Sequence, residues 1–357
     1  MKSNKPILFM AGGTGGHVFP ALAIANALKK QAIPVAWLGT QHGMEARIVP
    51  DADIPIHYIN IKGLRGKSKL SLLLAPFKII WAIGQSIRIL RQVKPAAVVG
   101  MGGFASGPGG VAAWLLGIPV FIHEQNAIAG LTNRLLARFA TQVMQAFPNT
   151  FPEKCQAIYT GNPLRADILQ TTPKADFLAD QTLHILILGG SLGAKALNET
   201  LPQALQKVTG KIEVLHQAGE KHITTMQQTY ANAQFEVKVT AFIKNMADAY
   251  QWADLVICRA GALTVSEIAQ IGVASLLIPF PFAVDDHQTE NAKLLSDNNA
   301  AILLPQAKLQ EKEVIALIED FIQHPEKLAT MAKSAKQCAK PEALNQIVNI
   351  ILTRITD

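Results

Sequence analysis

The run Ile7-Leu8-Phe9-Met10-Ala11-Gly12-Gly13-Thr14-Gly15-Gly16-His17, continuing as Val18-Phe19-Pro20-Ala21-Leu22 toward Lys30, decides the fold. Its first five residues are apolar without a break, as a strand buried on both faces reads. The glycines then turn the chain, and helix-period residues follow to about Lys30. A strand that enters a helix through small residues opens a βα unit, and amides at such a helix N-terminus suit an anion. The two commonest nucleotide fingerprints fail in detail. Val18 stands where G-x-G-x-x-G needs its third glycine, and no Lys-Ser/Thr pair follows as in a P-loop.

Outward from this unit the pattern repeats. Strand-like runs at residues 35–38, 56–61, 97–100, 120–123 and 143–146 are separated mostly by helix-period segments. A second series occupies residues 185–188, 212–215, 236–239, 255–258, 275–278 and 301–304. Parallel sheets wrapped by helices account for both, so the expected class is α/β with two Rossmann-like domains. The join falls near Gly161-Asn162-Pro163, and a polar stretch to Gln181 precedes the second series. The expected division is 1–163, 164–340 and a final helical segment, 341–357, that folds back on the first domain.

The 357-residue chain suits two domains, and its 49% hydrophobic and 17% charged content suits packed cores. Its three cysteines, scattered and odd in number, favour neither a disulfide framework nor a metal motif. The N-terminus leaves no room for a signal peptide before the first strand, and no run of about 18 uncharged apolar residues suggests a membrane span. Charge is divided unevenly. Up to Arg165, 17 Lys and Arg stand against 5 Asp and Glu; beyond it, 16 stand against 21. A basic first half points to an anionic partner. Only 6% of residues are aromatic, and no basic cluster is interleaved with them, so anionic lipid is favoured over nucleic acid.

Two more glycine-rich turns sit between strand and helix candidates: Gly100-Met101-Gly102-Gly103-Phe104-Ala105-Ser106-Gly107-Pro108 and Gly189-Gly190-Ser191-Leu192-Gly193-Ala194. One such turn would more often serve packing. Three at strand ends across two domains imply more than one phosphate-bearing ligand.

As a set, GGTGGHVFPALAIA at residues 12–25, GMGGFASGP at 100–108, HEQNAIAGLTNR at 123–134, TGNPLR at 160–165, GGSLGA at 189–194 and RAGALTVSEI at 259–268 resemble the MurG family. These are peptidoglycan N-acetylglucosaminyltransferases acting on undecaprenyl-pyrophosphoryl-muramyl-pentapeptide. The match runs in order along nearly the whole chain. It implies a GT-B fold with the acceptor bound mainly by the first domain, UDP-N-acetylglucosamine mainly by the second, and chemistry in the cleft. Thr14, Gly15 and Gly16 then border donor phosphate or sugar, Asn126 the sugar, and Ser191 the diphosphate. Arg165 and Ile243 fall on the uracil side. Ala262, Leu263, Thr264, Val265, Ser266 and Glu267 hold diphosphate, sugar and ribose, and Gln288 reads sugar hydroxyls. The resemblance further implies no cofactor or protein-bound metal, a peripheral place on the cytoplasmic face of the bacterial membrane, a part in cell shape and division, and membrane-bound cell-wall enzymes as partners.

Several alternatives stay open at this level. Glu267 suits vicinal ribose hydroxyls, but Thr264-Val265-Ser266-Glu267 also fits a capping box. His17, at a helix N-terminus that disfavours the imidazolium, is the preferred general base, and it can equally serve as a neutral donor to phosphate. Glu124 is the second choice. Rival activities are transfer to diacylglycerol, UDP-N-acetylglucosamine 2-epimerisation, and UDP-sugar binding without catalysis; the broken fingerprint disfavours a dinucleotide oxidoreductase. For membrane contact, a helix from Pro76 would turn Ile79, Ile83, Ile87 and Leu90 to the core and Phe77 and Trp81 outward with Lys78, Gln85 and Arg88. The preceding loop adds Lys62, Arg65, Lys67, Lys69 and Leu72-Leu73-Leu74.

Overall fold

The computed structural model describes residues 5–61, 74–174, 176–178, 181–190 and 194–356. By packing, the chain forms two compact units. One comprises the residues up to Leu164 together with those from Glu342 on, and the other is Arg165–Pro341.

The first unit is built on a parallel sheet whose strands, among the described residues, are β1 (Ile7–Ala11), β2 (Val35–Gly39), β3 (Ile56–Tyr58), β4 (Ala97–Gly102), β5 (Val120–Glu124), β6 (Gln142–Gln145) and β7 (Ile158–Tyr159). Their order is β3-β2-β1-β4-β5-β6-β7. All five residues of β1 are buried, and its faces serve different cores. Ile7, Phe9 and Ala11 pack with Trp37, Val99 and Phe121; Leu8 and Met10 pack with Leu38, Val98 and Ile122. Burial on both sides is why the sequence shows continuous apolar runs here, each fully buried large side chain contributing about 1.5–3 kcal/mol. The terminal helix Ala343–Thr356 places Ile347, Val348 and Ile351 in the core that holds Phe9 and the Gly15–Lys30 helix.

The second unit repeats the plan with β8 (Thr182–Leu188), β9 (Lys211–Gln217), β10 (Glu236–Thr240), β11 (Leu255–Cys258), β12 (Ala274–Leu277) and β13 (Ile302–Leu303). Their order is β10-β9-β8-β11-β12-β13, again with parallel pairing. In each sheet the direction of strand addition reverses between the first and fourth strands of the unit. Open α/β sheets bind ligands at the carboxyl ends of strands at this reversal. The glycine-rich turns that follow β1, β4 and β8 in sequence, and the Arg259-Ala260-Gly261 turn after β11, therefore stand where topology puts a site.

Strand ends depart from the expected ranges. β3 stops at Tyr58, and β13 keeps only two paired residues. The edge strand β7, also two residues long, is too short to leave a periodic signal. The helix Ala75–Val93 forms with proline in its first turn, but its buried line is Ala75, Ala82, Ser86 and Leu90. Ile83 and Ile87 pack beside that line, whereas Ile79, expected inward, is exposed. The small side chains, not the isoleucines, set the line of close approach.

Candidate active site

After β1, Gly13 adopts φ +89°, and Thr14 caps the Gly15–Lys30 helix in extended conformation without a side-chain hydrogen bond. The helix thus begins with amides that no cap occupies. Glu45, fully buried, braces this turn from beneath. Its carboxylate accepts from the Gly13 N–H at 2.9 Å, the Thr40 N–H at 2.9 Å and the Thr40 hydroxyl at 2.8 Å. A Cβ at Gly12, Gly39 or Gly43 would collide with Glu45, so these glycines make room for the brace.

The turn after β4 nests against the first. Gly102 has φ +102° and Gly103 φ +86°; a Cβ on Gly103 would strike the Gly12 backbone, and one on Gly102 would strike the His17 ring. The buried Ser106 hydroxyl lies 2.6 Å from the Met10 carbonyl and 2.7 Å from the Gly102 carbonyl, tying the two strand ends together. His17 is half-buried, with Nδ1 2.8 Å from Oε1 of Gln125.

Past β5, Glu124 is employed differently from the expectation of a reserve base. Oε1 accepts from the Asn126 N–H at 3.0 Å and its side-chain amide at 3.2 Å; Oε2 accepts from the Gly130 N–H at 3.0 Å and Asn133 Nδ2 at 2.9 Å. The side chain is 1% exposed. Four donors committed to one buried carboxylate make it the organiser of the 124–133 loop, and the loop in turn positions Asn126.

In the second unit Ser191 lies outside the described residues, so the diphosphate assignment there rests on the sequence. After β11, Gly261 is the N-cap of the Ala262–Ile271 helix, again without a side-chain cap bond. Thr264, Ser266 and Glu267 are therefore inside the helix, and the capping box is absent. The Glu267 carboxylate instead accepts from the Tyr250 hydroxyl at 2.9 Å. Burial pushes the Glu267 acid up from its ordinary range, while the Tyr250 hydrogen bond and the charge of Arg165 pull the other way. Ala262 and Val265 are buried, so any contact they make to a ligand goes through backbone, whereas Leu263, Thr264 and Ser266 are half-exposed.

Arg165 is exposed, its Nε 3.7 Å from Asp167, and lies within electrostatic range of Glu267 and Tyr250. Ile243 is nearly buried and lines, with Phe242, Lys244 and Asn245, an open groove of about 860 Å³. Gln288 sits in the first turn of the His287–Ser296 helix, its carbonyl accepting from the Phe280 N–H at 2.9 Å. That bond aims the amide and leaves its nitrogen as the donating end.

Four residues carry weight that sequence reading did not assign. Glu45 and Gln125 shape the first unit's site, and Tyr250 orients Glu267. Arg259 bonds the Ile278 and Pro279 carbonyls at 3.1 Å and Gln306 at 2.6 Å, fixing the turn that starts the Ala262–Ile271 helix. Gln125 and Arg259 stand inside the sequence runs 123–134 and 259–268; Glu45 and Tyr250 depend on contacts between distant segments.

Family models for the N-terminal and C-terminal domains of glycosyltransferase family 28 match residues 7–145 and 184–347. The fold and the two switch-point sites thus define a family 28 glycosyltransferase, and the chain belongs to that family. Two curated relatives carry the name UDP-N-acetylglucosamine–N-acetylmuramyl-(pentapeptide) pyrophosphoryl-undecaprenol N-acetylglucosamine transferase. That from Pseudomonas fluorescens is 51% identical over 97% of this chain and 98% of its own length, and that from Pseudomonas syringae 50% over 96% and 97%. The crystal structure of Acinetobacter baumannii MurG aligns with TM-score 0.84 at 46% identity, covering 98% of this chain and 99% of that one. Within family 28, this chain is a member of the MurG family. A Neisseria meningitidis UDP-GlcNAc 2-epimerase, at 14% identity and TM-score 0.66, shares the fold alone.

Proposed function

We propose that this chain transfers N-acetylglucosamine from UDP-N-acetylglucosamine to the 4-hydroxyl of the muramyl residue in undecaprenyl-pyrophosphoryl-muramyl-pentapeptide, with inversion. Identity of 50–51% to transferases of that name, over 96–97% of this chain, carries the reading. The acceptor oxygen bonds to the anomeric carbon as the bond from that carbon to the diphosphate oxygen breaks. The proton leaves the hydroxyl, and the electron pair departs with UDP. His17 takes the proton, its ring standing beside the two nested glycine turns of the first unit. The developing diphosphate charge is met by amides at the start of the Ala262–Ile271 helix and by Ser191, and no protein-bound metal or cofactor is assigned. Glu267 accepts from the ribose hydroxyls, Arg165 and Ile243 lie on the uracil side, and Gln288 donates to the sugar. Thr14, Gly15, Gly16 and Asn126 complete the sugar and phosphate contacts.

Among the described residues no helix is long and apolar enough to cross a membrane. The lipid acceptor is instead reached from the cytoplasmic face through an exposed apolar surface. Phe77 is 72%, Ile80 66% and Trp81 67% exposed on the Ala75–Val93 helix. Lys78 is also exposed on its first turns, a combination that suits the headgroup region of anionic lipid. Membrane-bound cell-wall enzymes are the partners this placement favours, and cell shape and division are the processes it would serve. UDP release measured with and without the lipid acceptor tests the activity. Release should require the acceptor; equal release in its absence would reject the transferase reading.

A further inference from the structure

Gln125 is 1% exposed and lies between two histidines. Its Nε2 is 2.9 Å from the main-chain carbonyl of His123 and 3.1 Å from Nδ1 of the same residue. A carbonyl oxygen only accepts, so the amide nitrogen must be the end that faces His123. The His123 ring is itself fixed, because its Nε2 lies 3.0 Å from the Gly161 carbonyl and must carry the proton there. Nδ1 of the neutral ring is then a bare lone pair, able to accept from Gln125. Burial keeps the ring neutral, lowering its pKa to about 4. Asn162 Nδ2 holds the Gln125 main-chain carbonyl at 3.1 Å.

With its nitrogen committed, Gln125 presents only a carbonyl oxygen to His17 Nδ1 at 2.8 Å. Nδ1 of His17 must therefore be the protonated nitrogen, the tautomer that a free histidine side chain favours less. We propose that Gln125, held by His123, whose ring the Gly161 carbonyl fixes, is a positioning residue that sets the His17 tautomer and leaves Nε2 as the proton acceptor; this rests on His17 being the base. An amide suits the task better than a carboxylate. It orients the ring without a negative charge that would stabilise the imidazolium and hold a proton on Nε2.

Two-bond proton–nitrogen correlation spectra of the full chain, labelled with ¹⁵N-histidine at pH 8, read the tautomers directly. His17 should show a protonated Nδ1 and a bare Nε2, and His123 the reverse. In Gln125→Leu the His17 signals should move toward the free-side-chain mixture, with kcat reduced about 10-fold or more and both KM values little changed. Gln125→Glu keeps an acceptor against His17 Nδ1, but its second oxygen meets the His123 carbonyl and bare Nδ1. That oxygen must be protonated or draw a proton onto His123, so His17 should stay protonated on Nδ1 while kcat still falls. A native His17 protonated on Nε2, or a Gln125→Leu enzyme with native tautomer and kcat, would overturn the relay. The assigned tautomers together with an unchanged kcat in His17→Ala would keep the relay and reject His17 as base.

Discussion

In the proposed donor site, Glu267 is a half-buried carboxylate held by a tyrosine. Tyr250 donates to one oxygen of Glu267, which offsets part of the cost of burying the charge and, in the proposed reading, leaves the other for the ribose hydroxyls. Removing the carboxylate in Glu267→Ala should weaken UDP binding by about 1.5–3 kcal/mol, read by calorimetric titration, because hydrogen bonds to a charged group are lost. Stability should fall only by about 1–3 kcal/mol, the cost of leaving the buried Tyr250 hydroxyl unpaired, since Gly261 and not Glu267 caps the helix. An unchanged donor Kd with a lowered melting temperature would return Glu267 to a structural role. Tyr250→Phe should weaken donor binding in the same direction by a smaller factor. The sequence made Glu267 legible through the run 259–268, but not Tyr250, which lies 17 residues away on another helix. Glu124 shows the converse. The sequence offers it as the second choice of general base, and only the four donors around it reveal a loop brace.

The Ala75–Val93 helix carries the membrane argument. Its start was legible from Pro76 and its outward aromatics from the helical period, yet Ile79 was misplaced. A period alone cannot tell whether a helix end rests on the core through isoleucine or through alanine. Exposure of Ile79 and Ile80 beside Phe77 and Trp81 enlarges the apolar surface beyond the two aromatic rings. The basic segment expected to flank it, Lys62 to Lys69 with Leu72 and Leu73, lies outside the described residues. Each basic residue near an anionic surface contributes about 1 kcal/mol, so binding should be reversible and weakened by salt. Phe77→Ser with Trp81→Ser should reduce co-sedimentation with phosphatidylglycerol vesicles while UDP binding by the second unit persists. Undiminished sedimentation of the folded double variant would exclude this helix as the contact.

Each unit also buries a histidine that folding keeps neutral, and this ties stability to pH. His123 in the first and His216 in the second both have pKa values lowered from 6.5 to about 4, chiefly by burial. His216 sits between Asn198 and Tyr230, each at 3.1 Å. Between these pH values the unfolded chain binds more protons than the folded one, so stability is whole above about pH 6.5 and falls as pH drops toward 4. Each ring accounts for roughly 3 kcal/mol over that span. Calorimetric melting at pH 7.5 and pH 5 should show a clear fall, and a flat profile would reject the burial argument. The duplicated α/β plan was largely legible, because strands buried on both faces write continuous apolar runs and glycine turns follow them. The long-range partners were not, since Glu45 reaches the first turn from 32 residues away, Gln125 meets His17 across 108, and Arg259 holds its own turn through Gln306, 47 residues on. The most direct test of the whole account is the configuration of the sugar linkage made from UDP-N-acetylglucosamine and the lipid-linked muramyl-pentapeptide, read from the anomeric proton coupling of the released disaccharide. Inverting transfer to the 4-hydroxyl requires a β-1,4 bond; an α-linked product would contradict it.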